Sequence, residues 1–215
     1  MKVISPAIFY QTIGNHYKNE ICHLNWDKNR TWTLLFAVIL SAQCTDKKVN
    51  EVTTHLFLDF PDLEHFIIKP IEELEQAIKP TGFYHNKSKS LKKCAKQLLL
   101  TFEGKVPDTM ENLISLSGVG RKTANVILWN IFGKNEGFVV DTHISRISQR
   151  VGLSKNKTPE KIEQDLMKLF PKPLWGPISH MLIQFGRDFC KAPIPICSKC
   201  FLKKICPKIG VRKWK

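Results

Sequence analysis

The sequence has no apolar run long enough to cross a bilayer. Its longest, Leu34 to Leu40, falls far short of the roughly 20 residues that a spanning helix needs. The opening MKVISPAIFYQTIG has no clear apolar core leading to a small-residue cleavage site, and Pro6 interrupts it, so no secretion signal is expected. There is no low-complexity tract and no internal repeat. Strand patterning is almost missing: only Phe138, Val139 and Val140 read as a short strand. Acidic residues are scarce, 19 against 33 basic ones, for a net charge of +14. Such a chain ordinarily meets phosphate, and nucleic acid is the default partner. An anionic membrane surface is the rival partner, but no strongly amphipathic basic helix is there to lie on it. The expectation is a cytoplasmic protein that binds no membrane.

What the sequence does contain is helical. TWTLLFAVILSAQ reads as a buried helix, and Thr45 can cap a second through DKKVNEVTTHLF. Pro61, Pro70 and Pro80 divide the next stretch into short helices. Lys89 to Phe102 carries Leu91, Cys94, Ala95, Leu98 and Phe102 on one face, with Lys89, Lys92, Lys93 and Lys96 on the other. Thr158-Pro159 is a helix start with a capping hydroxyl, and Leu174 to Asp188 forms the last helix. The fold expected is all-α with two helical lobes. One lobe spans 25–136; the other unites 1–24 with 137–215, and the chain crosses between them at Gly133 to Gly137.

Seven cysteines without a secretion signal point to a reducing compartment. Cys22, Cys44 and Cys94 stand in apolar, helical contexts and read as core fillers. The other four form the pattern Cys190-x6-Cys197-x2-Cys200-x5-Cys206, in a loop broken by prolines. Four thiolates select a soft centre, zinc or an iron–sulfur cluster. A zinc ribbon would usually show two Cys-x2-Cys knuckles, and here there is one. The first interval, KAPIPI, better suits a loop around a bulky cubane, so iron–sulfur is favoured. Two disulfides or free buried thiols are the plainer alternative. Nine basic residues against one acid lie between Arg187 and Lys215, so this loop is also the most basic part of the chain.

A second informative segment is LSGVGRKTA, Leu116 to Ala124. Gly118 and Gly120 bracket a tight turn between two helices, and glycine there exposes backbone N–H groups at the positive end of the second helix. That is a phosphate site and a helix–hairpin–helix, which grips DNA without reading bases. The G-x4-GK[ST] spacing of a P-loop is absent. An ordinary helix–helix turn is the plain alternative, which the following Arg121, Lys122 and Thr123 argue against. Lys122 itself is either one more phosphate contact or a nucleophilic amine. An ordinary lysine is almost wholly protonated near neutral pH, so the second role needs a depressed pKa, within reach of partial burial together with a helix N-terminus. Asp141 follows the apolar triplet and opens the helix THISR. It can cap that helix, and in a cleft it can also deprotonate an amine or stabilise positive charge on a sugar.

Taken in order, LLFAVILSAQCTDKKVN, GFYHNKS, LSGVGRKTANVIL, VDTHISR and the cysteine loop resemble the endonuclease III family, the iron–sulfur branch of the helix–hairpin–helix DNA glycosylases. The likeness runs from about residue 30 to Cys206. It implies a monomeric, bifunctional base excision repair enzyme that flips oxidised pyrimidines from double-stranded DNA into a pocket between two lobes. Lys122 at the family's lysine position would attack C1′ and form a Schiff base, assisted by Asp141. β-Elimination would then cut 3′ to the abasic sugar. Gln43 would fill the vacated stack and Phe83 would wedge the duplex. Gly118, Val119, Gly120, Arg121 and Thr123 would hold the backbone. Cys190, Cys197, Cys200 and Cys206 would hold a [4Fe-4S] cluster that organises the basic loop 190–206.

Two positions depart from the family's pattern. Ser117 stands where the hairpin usually has proline, and Cys44 where a small alanine is usual. An adenine glycosylase would lack the lysine and carry a glutamate between Trp32 and Asp46, where this chain has none. A monofunctional mismatch glycosylase would place tyrosine at position 122. A non-catalytic iron–sulfur DNA-binding or redox-sensing protein would need neither Lys122 nor Asp141.

Overall fold

A computed structural model describes residues 4–17 and 22–215. Residues 1–3 and 18–21, part of the segment expected to join the second lobe, lie outside the described residues. The described residues form eleven α-helices and no strand. They are α1 (Pro6–His16), α2 (Trp32–Leu40), α3 (Asp46–Asp59), α4 (Leu63–Ile68), α5 (Ile71–Ile78), α6 (Tyr84–Phe102), α7 (Met110–Ser115), α8 (Arg121–Phe132), α9 (Thr142–Val151), α10 (Pro159–Leu169) and α11 (Trp175–Asp188). They group into two compact units, Cys22–Lys134 and Met1–Ile21 with Asn135–Lys215.

In the unit Cys22–Lys134, α2 is the central rod. Its sequence WTLLFAVIL has no polar face, and all nine residues are buried. Trp32, Phe36 and Phe66 meet edge to face, with centroids 4.8 to 5.7 Å apart. Burying each such side chain contributes on the order of 1.5–3 kcal/mol. Thr45 caps α3 by accepting from Lys48 N at 3.3 Å, and Asp62 caps α4 by accepting from His65 N at 2.9 Å. Helix α6 buries Leu91, Cys94, Ala95 and Leu98 of the stripe read from its periodicity, and the fifth member, Phe102, is half-buried. It begins at Tyr84 rather than Lys89. Lys92, expected on a solvated face, donates to the carbonyl of Lys69 at 2.7 Å.

The unit that includes Asn135–Lys215 is built on α9 and α11. Ile144, Ile147 and Val151 of α9 and Ile178, Leu182 and Phe185 of α11 share one core. Helix α1 adds Phe9 and Ile13 to it, and Tyr17 donates its hydroxyl to Asp188 Oδ2 at 2.9 Å. The strand expected at Phe138 to Val140 does not form. All three side chains are buried, but no partner strand exists among the described residues, and Val139 N donates instead to Ser179 Oγ at 3.2 Å. Helix α10 starts at Pro159 as the sequence suggests, yet the Thr158 hydroxyl makes no capping bond. Of the three cysteines read as core fillers, only Cys94 is buried; Cys22 and Cys44 are half-buried.

Candidate active site and cysteine loop

The turn between α7 and α8 is the hairpin read from LSGVGRKTA. Gly118 has φ +82°, and a Cβ there would lie 3.0 Å from Ser90 Cβ and 3.3 Å from Ile39 Cγ2. Both the left-handed backbone and the close approach of α6 and α2 therefore demand glycine. Gly120 differs: it is extended, with φ −96°, and open space surrounds it. As the residue before α8 it offers no capping side chain, which leaves a helix N-terminus able to take an anion. Val119, expected among the DNA contacts, is buried in the core, and its N–H donates to Leu116 O at 3.1 Å. Arg121 is exposed and Thr123 half-buried. Gln97 of α6 braces the turn: its Oε1 accepts from Ser117 N at 2.8 Å and its Nε2 donates to Ser115 O at 2.9 Å. No sequence signal marked Gln97 for that role.

Lys122 is the second residue of α8 and is exposed. Of the two influences sought for a nucleophilic amine, burial is lacking and the helix N-terminus is in place. Asp141 stands just before α9, half-buried, and its Oδ1 accepts from Ile144 N at 2.8 Å. It is a cap, as the sequence allowed. Its Oδ2 has no hydrogen-bond partner among the described residues, so a carboxylate oxygen is left for chemistry.

Gln43 and Phe83 occupy two turns of the unit Cys22–Lys134, after α2 and before α6. Both are exposed, Phe83 by 62%. Both also adopt left-handed backbone, with φ 53° and 50°. For non-glycine residues that conformation costs on the order of 1–2 kcal/mol. Two other described residues, Glu103 and Lys208, share it.

In the other unit, Cys190, Cys197, Cys200 and Cys206 line one cavity, together with Arg150, Phe185, Phe189, Lys203 and Lys208. Cys190, Cys197, Cys200 and Cys206 form no disulfide, which removes the two-disulfide alternative. No three of the cysteines are gathered closely enough for a single ion among the described residues. Four thiols around a common space suit a soft metal centre. Burial pushes the Cys200 thiol up to about 11 and raises Cys197 and Cys206 as well. Bare thiolates are thus disfavoured there, and a soft cationic centre would supply the charge they need. Two arginines one helical turn apart on α9 frame the loop. Arg146 Nε donates to Cys190 O at 2.8 Å, and Arg150 Nη1 donates to Lys191 O at 2.7 Å and approaches Cys190 Sγ at 3.6 Å. The sequence reading passed over both; their i, i+4 spacing was the available signal.

A family model described as HhH-GPD superfamily base excision DNA repair protein matches residues 36–172. Endonuclease III of Synechocystis sp. is 45% identical over 191 residues, 89% of this chain and 86% of that protein. The chain belongs to the endonuclease III family. Two solved structures of endonuclease III agree, each 38% identical with a TM-score of 0.89. One, described as a non-covalent endonuclease III–DNA complex, matches over 95% of both chains. The other, a trapped endonuclease III–DNA covalent intermediate in an estranged-adenine complex, matches over 95% of this chain and 96% of that one. Membership in the endonuclease III family makes this protein a DNA glycosylase of base excision repair. The reading as a non-catalytic binding protein is set aside with it. Among the described residues no helix is long and apolar enough to cross a membrane.

Proposed function

We propose that the protein is a bifunctional DNA glycosylase and AP lyase that releases oxidised pyrimidines from double-stranded DNA, acting as a cytoplasmic monomer. The observation that carries the reading is Lys122, an exposed amine in the first turn of the helix that follows the hairpin. The hairpin and the helix N-terminus hold the DNA backbone through phosphate. Gln43 fills the space left by the flipped nucleotide, and Phe83 wedges the stack. Extrusion costs a few kcal/mol, least at a damaged and poorly stacked pair.

In its neutral form, Lys122 Nζ attacks C1′ of the deoxyribose. The C1′–N bond breaks, its electron pair leaves with the base, and the base takes up a proton. Loss of the amine's protons and opening of the sugar ring give a Schiff base at C1′. The free oxygen of Asp141 serves the positive charge that develops on the sugar as the base departs. Removal of a C2′ proton then sends an electron pair toward the imine, and the C3′–O bond breaks with the phosphate as leaving group. Hydrolysis of the imine restores the lysine. Cys190, Cys197, Cys200 and Cys206 would hold a [4Fe-4S] cluster, which organises the basic loop against DNA and takes no part in excision. Iron and sulfide in the purified protein, with visible absorption lost in Cys200→Ser, support that assignment; zinc in their place would overturn it.

Borohydride trapping tests the mechanism, on a duplex with one thymine glycol and with wild type and Lys122→Ala side by side. The expected result is a covalent adduct in the wild type and none in the variant. Base release without an adduct in the wild type would instead make the enzyme monofunctional, with Asp141 activating water.

A further inference from the structure

Among the described residues Lys87 is the only buried lysine, 5% exposed. Its Nζ donates to the carbonyl of Leu40 at 2.8 Å and to the carbonyl of Thr81 at 2.8 Å. No carboxylate pairs with it among the described residues. Burial lowers its pKa from the ordinary lysine value. An ammonium kept in such a place must be compensated by hydrogen bonds, and here both go to main-chain oxygens of separate segments.

Those two segments are the ones that carry the exposed, left-handed residues. Leu40 ends α2, and its carbonyl is one that a helix terminus leaves without an intrahelical partner. Gln43 follows three residues later. Thr81 ends the short 3-10 helix Lys79–Thr81, and Phe83 follows two residues later. Strained backbone persists only where its surroundings over-determine it. The Thr81 hydroxyl fixes one turn by donating to Ile78 O at 2.8 Å, and Ser41 fixes the other by donating to Val38 O at 2.8 Å. Lys87 is the side chain that bonds to both.

We propose that Lys87 is a positioning residue for lesion recognition: one buried ammonium ties the turn of Gln43 to the turn of Phe83 and sets the register in which both enter the duplex. This rests on the reading of Gln43 as gap filler and Phe83 as wedge. It assigns the lysine no contact with substrate.

The test compares two substrates that differ in whether insertion is needed. One is a duplex with a single thymine glycol beside 2-aminopurine, read by single-turnover base release and by the fluorescence of unstacking. The other is a single-stranded oligonucleotide with one abasic site, read by strand cleavage. Lys87→Met is expected to slow release from the duplex by between about tenfold and a hundredfold, the scale of an ångström-sized misplacement, and to blunt the fluorescence change. Cleavage of the single strand should stay near wild type. A Gln43→Ala/Phe83→Ala variant should show the same selective loss, and adding Lys87→Met to it should cost nothing further. Wild-type release from the duplex by Lys87→Met, while the double variant is impaired, would overturn the proposal alone. A double variant with wild-type behaviour would overturn the reading of Gln43 and Phe83 and the route through which Lys87 acts. Equal losses on both substrates would mean that Lys87 serves the fold, which also overturns the proposal. Lys87→Gln is the second variant; failure of both variants to fold would likewise assign the lysine to the fold.

Discussion

Ser117 donates its main-chain N–H to the side-chain oxygen of Gln97, a bond that proline, having no N–H, cannot make. The hairpin is therefore held by a side-chain amide from α6 where a pyrrolidine ring would otherwise stiffen it. The same amide returns a hydrogen bond to Ser115 O, a carbonyl left over at the end of α7. Gln97→Ala should then lower stability by about 1 kcal/mol or more, since it frees two main-chain groups. Ser117→Pro, which restores the family's usual residue, should lower stability as well, because it strands the Gln97 oxygen. Denaturant titration of the three proteins decides this. A stabilised Ser117→Pro would show that the Gln97 brace is incidental.

The two glycines of the hairpin should respond unequally to alanine. At Gly118 a Cβ meets Ser90 at 3.0 Å on a backbone with φ +82°, so strain and overpacking add, and a loss of about 1–3 kcal/mol is expected. At Gly120 the backbone is extended and the space is open, so no clash arises and the loss should stay within about 1 kcal/mol, the disadvantage of alanine at a helix N-cap. Any loss of DNA affinity in Gly120→Ala then reports on the phosphate contact itself. Thermal unfolding and salt-dependent DNA binding separate the two. Similar destabilisation by both variants would contradict the assignment.

Residue chemistry with a local consequence was the part legible in the sequence. The Thr45 cap, the stripe on α6, the hairpin and the shared cavity of four cysteines all follow from short-range spacing. The apolar triplet at Phe138 was misread because burial alone looks like a strand. Only tertiary structure reveals that Val139 N has Ser179 rather than a neighbouring strand. The Thr158 hydroxyl failed as a cap although its position was right. Lys87 and Gln97 were illegible for a common reason: each acts on main chain distant in sequence, and nothing in a lysine or glutamine betrays a carbonyl or N–H brought to it by folding. The left-handed turns at Gln43 and Phe83 were hidden likewise, since neither residue favours that conformation.

Asp141 is asked to cap α9 and to serve the chemistry, and two substitutions divide these tasks. Asn caps about as well as Asp, whereas Ala forfeits about 1 kcal/mol. Asp141→Asn should keep the bond to Ile144 N and near-normal stability while single-turnover excision slows markedly. Asp141→Ala should lose both. If the asparagine variant excises at the wild-type rate, the carboxylate has no catalytic part and Asp141 is only a cap.

His143 sets a pH limit on the unit that carries Asp141. Arg146 Nη2 lies 3.1 Å from His143 Nδ1. Because a guanidinium only donates, Nδ1 there must accept and the proton belongs on Nε2. Gly186 closes against the ring so tightly that a Cβ would stand 2.5 Å from Nδ1. Burial pushes the His143 pKa below its ordinary value. Asp141 opposes that shift, Arg146 and Arg187 add to it, and a hydrogen bond with the Gly186 main chain opposes it. The unfolded imidazole thus takes a proton at a pH where the folded one does not. The contribution of neutral His143 is complete above about pH 6.5 and falls away as the pH drops toward the folded value, because the unfolded state then binds more protons. Wild type should accordingly lose more unfolding free energy than His143→Gln between about pH 7.5 and about 5.5, a window centred on the ordinary histidine value. Parallel losses in the two proteins would place the acid sensitivity elsewhere.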